Sequence, residues 1–190
     1  AGDFDGDGVP DLAIVRGNGT TVGKRLELFS VGQNQPLWWL VWPDNSFGNA
    51  LLGDLDVNGD GRPDVIATIF SGPGAGAYVF DNGGGFLYSV AGSGRAPVSL
   101  CKLGDRNGDG GDDFLLGCLD PTGRGVQWLI SGKDGSTIRE TYGLLAGDKT
   151  VRHISNLGDI DGDGVPDYAA FPWYSSQRLI AVAYSGATGA

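Results

Sequence analysis

The chain of 190 residues has no methionine, one histidine, two cysteines and no long apolar run. No stretch approaches the ~20 apolar residues that a membrane-spanning helix needs, so no membrane insertion is expected. The N-terminus lacks the basic-then-apolar pattern of a signal peptide. A start at Ala1 in a chain without methionine predicts a mature piece or a fragment of a longer protein. Basic residues are also scarce: 13 against 23 acidic ones, a formal charge of −10. Phosphate binding needs a basic face, which argues against nucleic acid as a partner and toward cations. The lone His153, in "VRHISNLGD", has no second imidazole and no serine or cysteine motif beside it, and is read as structural.

What the chain has in quantity is glycine, 35 residues, with nine prolines set among short apolar runs. That mixture predicts many turns and many short strands, hence an all-β fold. One stretch recurs four times: "DFDGDGVPDLAIV" from Asp3, "DVNGDGRPDVIAT" from Asp56, "DRNGDGGDDFLLG" from Asp105 and "DIDGDGVPDYAAF" from Asp159. The starts are 53, 49 and 54 residues apart. Between the loops the chain repeats a short run after the loop, a β-branched and aromatic run, a Gly-rich turn, a third run and a fourth leading into the next loop. Four short strands per ~50 residues is the size of one propeller blade. The predicted architecture is a β-propeller region over 1–190, with repeats at approximately 1–49, 50–95, 96–149 and 150–190. The first blade would lack its first strand and the last blade its last strand, leaving sheet edges of the kind that folded proteins usually cover.

The loops follow D-x-[DN]-x-D-G-x-x-D. Calcium takes six to eight oxygen ligands, and alternate residues of a tight loop can point theirs at one centre. Positions one, three, five and nine offer side-chain oxygens: Asp3, Asp5, Asp7 and Asp11; Asp56, Asn58, Asp60 and Asp64; Asp105, Asn107, Asp109 and Asp113; Asp159, Asp161, Asp163 and Asp167. Position seven would give a backbone carbonyl, from Val9, Arg62, Gly111 and Val165. The third loop departs from the others at position eight, where Asp112 replaces the proline of Pro10, Pro63 and Pro166. An EF-hand would need a bidentate glutamate at position twelve, which here is Ile14, Ala67, Leu116 and Ala170. Position nine is therefore the expected bidentate ligand. One ion per loop, about four Ca²⁺ in all, would bring the charge from −10 to −2.

Three further features have a bland and a sharp reading. Trp38, Trp39 and Trp42 in "PLWWLVWP" are expected to pack between blades rather than to form a sugar-stacking platform. Cys101 and Cys118 flank the third loop by four and five residues, and a hairpin there favours a disulfide, worth about 3 kcal/mol by the chain-entropy model, over two buried thiols. Asn18-Gly19-Thr20 is a glycosylation sequon.

These repeats resemble the FG-GAP, or VCBS-type, repeats of calcium-binding β-propellers such as the integrin α-subunit head, and the resemblance covers nearly the whole chain. It is carried by the four loops, "LGDLDVNGDGRPDVIA" and "SGATGA"; of the integrin signatures, Phe47-Gly48 is the nearest to the phenylalanine-glycine pair. The resemblance implies that each loop joins the first and second strands of a blade, and that the region belongs to a ring of about seven blades or closes as four. It also implies that Trp173 and Tyr174 lie on the ligand face. The implied function is an extracellular, secreted or cell-surface scaffold for structure, adhesion or ligand binding. Its partners would be a protein or glycan ligand, or further copies or segments completing the blades. A carbohydrate-active enzyme similar to propeller polysaccharide lyases, and a subunit polymerising through open blade edges, are the alternatives. No catalytic constellation is visible in the sequence.

Overall fold

A computed structural model describes residues 2–17, 23–43, 45–143, 151–171 and 181–190. The described residues are all-β, with no helix, and form four antiparallel sheets in chain order. The first sheet holds β1 (Leu12–Gly17), β2 (Lys24–Ser30) and β3 (Gln35–Trp42). The second holds β4 (Phe47–Leu55), β5 (Asp64–Ile69), β6 (Gly76–Phe80) and β7 (Phe86–Ala91). The third holds β8 (Ala96–Gly104), β9 (Asp113–Leu119), β10 (Gly125–Ile130) and β11 (Thr137–Tyr142). The fourth holds β12 (His153–Gly158), β13 (Asp167–Phe171) and β14 (Val182–Tyr184). Each sheet is an up-and-down meander; the second and third have the four strands of one propeller blade, and the first and fourth show three among the described residues.

Sequence period explains which faces are covered. Side chains alternate across a strand, so a strand buried on one face alternates and one covered on both is apolar throughout. β5 (DVIATI) and β10 (GVQWLI) are buried at every position, because their sheets have neighbours on both sides. β1 alternates instead: Ala13 and Val15 pack toward the second sheet, while Leu12 and Ile14 are 49% and 38% exposed. Three core clusters fill the spaces between sheets one and two, two and three, and three and four. No cluster joins the first sheet to the last among the described residues. Fully burying one side chain such as Phe114 or Leu116 contributes about 1.5–3 kcal/mol.

Each of the first three sheets is also fastened to the next by a side chain of its last strand, β3, β7 or β11, which donates to a carbonyl in the turn after the neighbour's third strand. Trp38 Nε1 donates to Asn82 O at 2.7 Å, Tyr88 Oη to Gly132 O, and Arg139 Nη2 to Gly186 O at 3.0 Å. Gly135, at φ 74°, lies directly under the Tyr88 ring, where a Cβ would come within 2.9 Å of it. The donors differ in chemistry but occupy equivalent places.

Two expectations are corrected. Trp42 packs between sheets as expected, stacked on Phe47 at 5.1 Å with Tyr78 edge-on at 4.8 Å. Trp39 points the other way and is 55% exposed, with the Arg25 guanidinium 4.3 Å from its ring centre. Cys101 and Cys118 form no disulfide: both are free and buried. Cys101 stands opposite Leu115 in the β8–β9 register and Cys118 opposite Pro97. Leu115 and Cys118 are three residues apart, so the two thiols face opposite sides of the sheet, one in each neighbouring core.

Candidate metal centres

The loops 56–64, 105–113 and 159–167 join the first strand of a sheet to its second, and loop 3–11 leads into β1. All four share one hydrogen-bond scaffold. The carboxylate at position one accepts the backbone N–H groups of positions four, five and six: Asp3 from Gly6, Asp7 and Gly8 at 2.8, 3.1 and 2.8 Å, and Asp159 from Gly162, Asp163 and Gly164 at 2.7, 3.1 and 2.8 Å. Asp56 and Asp105 do the same in their loops. Position three accepts the N–H of position five, and position five that of position seven. This winding needs left-handed backbone at positions four and six; in the first loop Gly6 has φ 77° and Gly8 φ 86°. The glycine at position four, present in all four copies, is a loop determinant that the sequence reading passed over.

Position nine is buried in every loop, with Asp11, Asp64, Asp113 and Asp167 at most 1% exposed. It acts as a strut. One oxygen accepts the N–H of position two: Phe4 at 2.8 Å, Val57 at 2.9 Å, Arg106 at 2.6 Å and Ile160 at 2.9 Å. In three loops the other oxygen accepts an N–H from the turn after β2, β10 or β14: Val31 at 3.1 Å, Gly132 at 2.9 Å and Gly186 at 2.8 Å. Each oxygen has a second lone pair left for a cation. Asp64 is the exception, since its Oδ1 is buried without a hydrogen-bond partner. Burial pushes the Asp64 carboxyl up to about 6, with Asp60 and Asp56 adding repulsion. The hydrogen bond from Gly110 leads those that hold the exposed Asp105 below its ordinary value. Burial raises Asp113 against the hydrogen bonds from Gly132 and Arg106.

These observations fit a hard cation. Asp3, Asp5 and Asp11, and likewise Asp159, Asp161 and Asp167, each bring carboxylate oxygens within 4.8 Å of one another. In the second and third loops the middle member of that trio is an amide, Asn58 or Asn107, so positions one, three and nine carry two carboxylates there. Asp7 and Asp163 lie outside the trios. Three acidic oxygens held this close repel one another, and an orphaned buried oxygen costs free energy. A divalent ion relieves both.

The second and third loops are in direct contact. Asp112 N donates to Asp56 O at 2.7 Å, and Asp56 N donates back to Asp112 Oδ2 at 2.8 Å. Lys102 Nζ holds the same Oδ2 at 2.8 Å and reaches Asp54 O at 2.9 Å. Asp54 sits in the β4 bulge with φ 94°, which turns its carbonyl toward that lysine. The backbone approach is close: a Cβ on Gly111 would stand 2.3 Å from Val57 O.

Away from the loops, the first strands of sheets two to four, β4, β8 and β12, line a hollow of about 300 Å³ between Asn49, Leu51, Ser99, Leu100, Arg152 and His153. Trp173, Tyr174 and the Asn18 sequon lie outside the described residues.

No family model matches the chain. Among curated proteins it is 26% identical over 219 aligned residues to integrin alpha-PS2 of Drosophila melanogaster, covering 94% of this chain and 15% of that one. It is 27% identical over 223 aligned residues to integrin alpha pat-2 of Caenorhabditis briggsae, covering 94% and 18%. The chain thus spans less than one fifth of these relatives. In fold it is similar to BBS1N, solved in complex with ARL6DN, at a TM-score of 0.63 and 12% identity over 95% of this chain and 51% of that one. It is also similar to the rhamnogalacturonan lyase YesW, at a TM-score of 0.59 and 16% identity over 99% and 37%.

Proposed function

We propose that this region is a calcium-stabilised, FG-GAP-like β-propeller scaffold that works outside the cell and presents a face for adhesion or for a protein or glycan ligand. The observation that carries the calcium reading is the repeated loop: four copies of one backbone winding, each with a buried aspartate at position nine, and two with three carboxylates within 4.8 Å. Asp3, Asp5 and Asp11, with Asp159, Asp161 and Asp167, would hold the ion in the outer loops; Asp56, Asn58 and Asp64, with Asp105, Asn107 and Asp113, would do so in the inner ones. The carbonyls of Val9, Arg62, Gly111 and Val165, and Asp7, Asp60, Asp109 and Asp163 at position five, complete the shell. The ion supplies charge neutralisation, and its binding to the folded state alone adds stability. The integrin alpha similarity supports adhesion and an extracellular setting.

At a calcium concentration 100 times the dissociation constant, each filled site adds about 2.7 kcal/mol, or roughly 5–10 °C in a domain of this size. Melting the protein in calcium, in magnesium and in EDTA tests this. Equal melting temperatures in calcium and EDTA would end the calcium reading.

A second reading, a subunit or segment that other blades complete, rests on the first sheet. Leu12 and Ile14 are exposed at places where Val65 and Ala67, Phe114 and Leu116, and Tyr168 and Ala170 are fully buried by a preceding sheet. Sedimentation of the chain distinguishes self-association from a monomer.

A further inference from the structure

The third loop breaks the repeat twice in succession. Position seven is Gly111 where the other loops carry Val9, Arg62 and Val165, and position eight is Asp112 where they carry Pro10, Pro63 and Pro166. Both departures face the second loop. Any side chain at position 111 would drive a Cβ into Val57 O, at 2.3 Å. Proline has no N–H to give, whereas Asp112 donates its own to Asp56 O at 2.7 Å. The Asp112 carboxylate then accepts Asp56 N at 2.8 Å, and Lys102 fixes that carboxylate at 2.8 Å. Asp56 is position one of the second loop and organises its whole winding through Gly59, Asp60 and Gly61. Residue 112 is chemically continuous with Asp113, the strut of the third loop, whose oxygens hold Arg106 N and Gly132 N. A further contact, Gly59 against Gly110 O, closes the seam: a Cβ on Gly59 would lie 2.8 Å from that oxygen.

We infer that Asp112 is a positioning residue that couples the second and third cation sites, so that filling one loop tightens the other, while the first and fourth loops bind independently. The inference rests on the calcium reading above. The clamp acts on backbone at both ends, at the carbonyl and N–H of Asp56 and at the residue preceding Asp113. A cation that fixes the third loop thereby fixes the peptide groups on either side of the second loop's leading ligand. Coupling of this kind is reciprocal and typically changes affinity by a factor of 5 to 150.

The position-six glycines report each loop separately, because Gly8, Gly61, Gly110 and Gly164 each donate their amide to the position-one carboxylate of their own loop. Calcium is added to EDTA-stripped, ¹⁵N-labelled protein and the four amides are followed individually. Asp109→Asn weakens the third loop; Asp105→Asn does so independently. The expected result is that either substitution raises the calcium midpoint read at Gly61 by at least about fivefold, with the Gly8 and Gly164 midpoints moving by less than about twofold. Combined with Asp112→Pro, which installs the residue the other loops carry, the Gly61 midpoint no longer depends on residue 109. Should the proline variant not fold, Asp112→Ala, which keeps the N–H and removes the carboxylate, must reduce the dependence, and Asp112→Asn, which keeps both a donor and an acceptor, must retain it. A Gly61 midpoint indifferent to residues 105 and 109 overturns the coupling while leaving four calcium-responsive loops. Equal shifts at Gly8 and Gly164 overturn it too, since they signal a general charge effect. If none of the four amides responds to calcium, the calcium reading itself fails and the coupling with it.

Discussion

Replacing Asp113 by asparagine removes charge from a fully buried carboxylate that accepts Arg106 N at 2.6 Å and Gly132 N at 2.9 Å. Hydrogen bonds to a charged group contribute about 1.5–3 kcal/mol each, and a buried N–H left without a partner costs about 1–3 kcal/mol. The amide retains one acceptor oxygen and presents its NH₂ to the other donor, so one bond is lost and one N–H is orphaned. Part of this is offset, because burial disfavours the charged carboxylate, as its raised pKa shows, and a neutral amide escapes that cost. The net loss is therefore about 1.5–3 kcal/mol. In a domain of this size that lowers the melting temperature by roughly 3–12 °C. Asp113→Ala orphans both donors and should lose about 3–5 kcal/mol. The measurement is thermal unfolding in EDTA near neutral pH, which removes any contribution from a bound ion. A strut that ties loop to hairpin is felt even there. If Asp113→Asn melts with the wild type in EDTA and falls behind only in calcium, Asp113 is a ligand alone and the strut is refuted.

Burial pushes the Cys118 thiol up to about 12 and the Cys101 thiol up to about 11; a thiol reagent at neutral pH should find both inert in the native protein and titrate two after denaturation, and a single reactive thiol or none would contradict the separated cores. Glu140 is held below its ordinary 4.5 chiefly by the hydrogen bond from Arg95, a bidentate pair at 3.0 and 3.1 Å. Its stabilisation is complete above the unfolded value and is lost as pH falls through the lowered folded one. Because Glu140 is partly exposed, the effect stays below ~1 kcal/mol, and Glu140→Gln should flatten that part of the acid limb between about pH 5 and 3 in a melting series. Tyr88→Phe removes the donor to Gly132 O and should cost about 1 kcal/mol, read as a shift in the denaturant midpoint; no shift would mean that the Tyr88 hydroxyl adds nothing to the other contacts between those sheets.

The blade pattern was legible because strand and loop chemistry are local. Four loops at one period, each followed by an apolar run, define four sheets whatever packs between them. The shared winding of the loops, with acidic oxygens gathered from positions one, three and nine in the first and fourth, was legible for the same reason. What escaped was set by partners distant in the chain. The second duty of Asp113 depends on an N–H at Gly132, nineteen residues on. Distance from the loop along the chain pairs the cysteines, but side-chain parity across the β8–β9 register decides where they point. Trp39 and Trp42 sit in one apolar run, yet only one faces the neighbouring sheet; the other stacks with Arg25 beside the Arg16–Glu27 ion pair. The departures of the third loop were visible as departures, but their cause lies in the adjoining loop.

The fit of Gly111 and Asp112 against Val57 and Asp56 means that the units of this array are not interchangeable parts. A blade transplanted from the fourth place to the third would bring Val165 and Pro166 to that seam, one too large and the other without a proton to donate. The hydrophobic faces could tolerate such a shuffle, since apolar cores accept many combinations of similar volume. The order of the second and third units is written instead in two loop residues, as a lock that admits one neighbour. Duplicating or grafting these units in a designed solenoid or ring would therefore have to move residues 56–57 and 111–112 as a matched set.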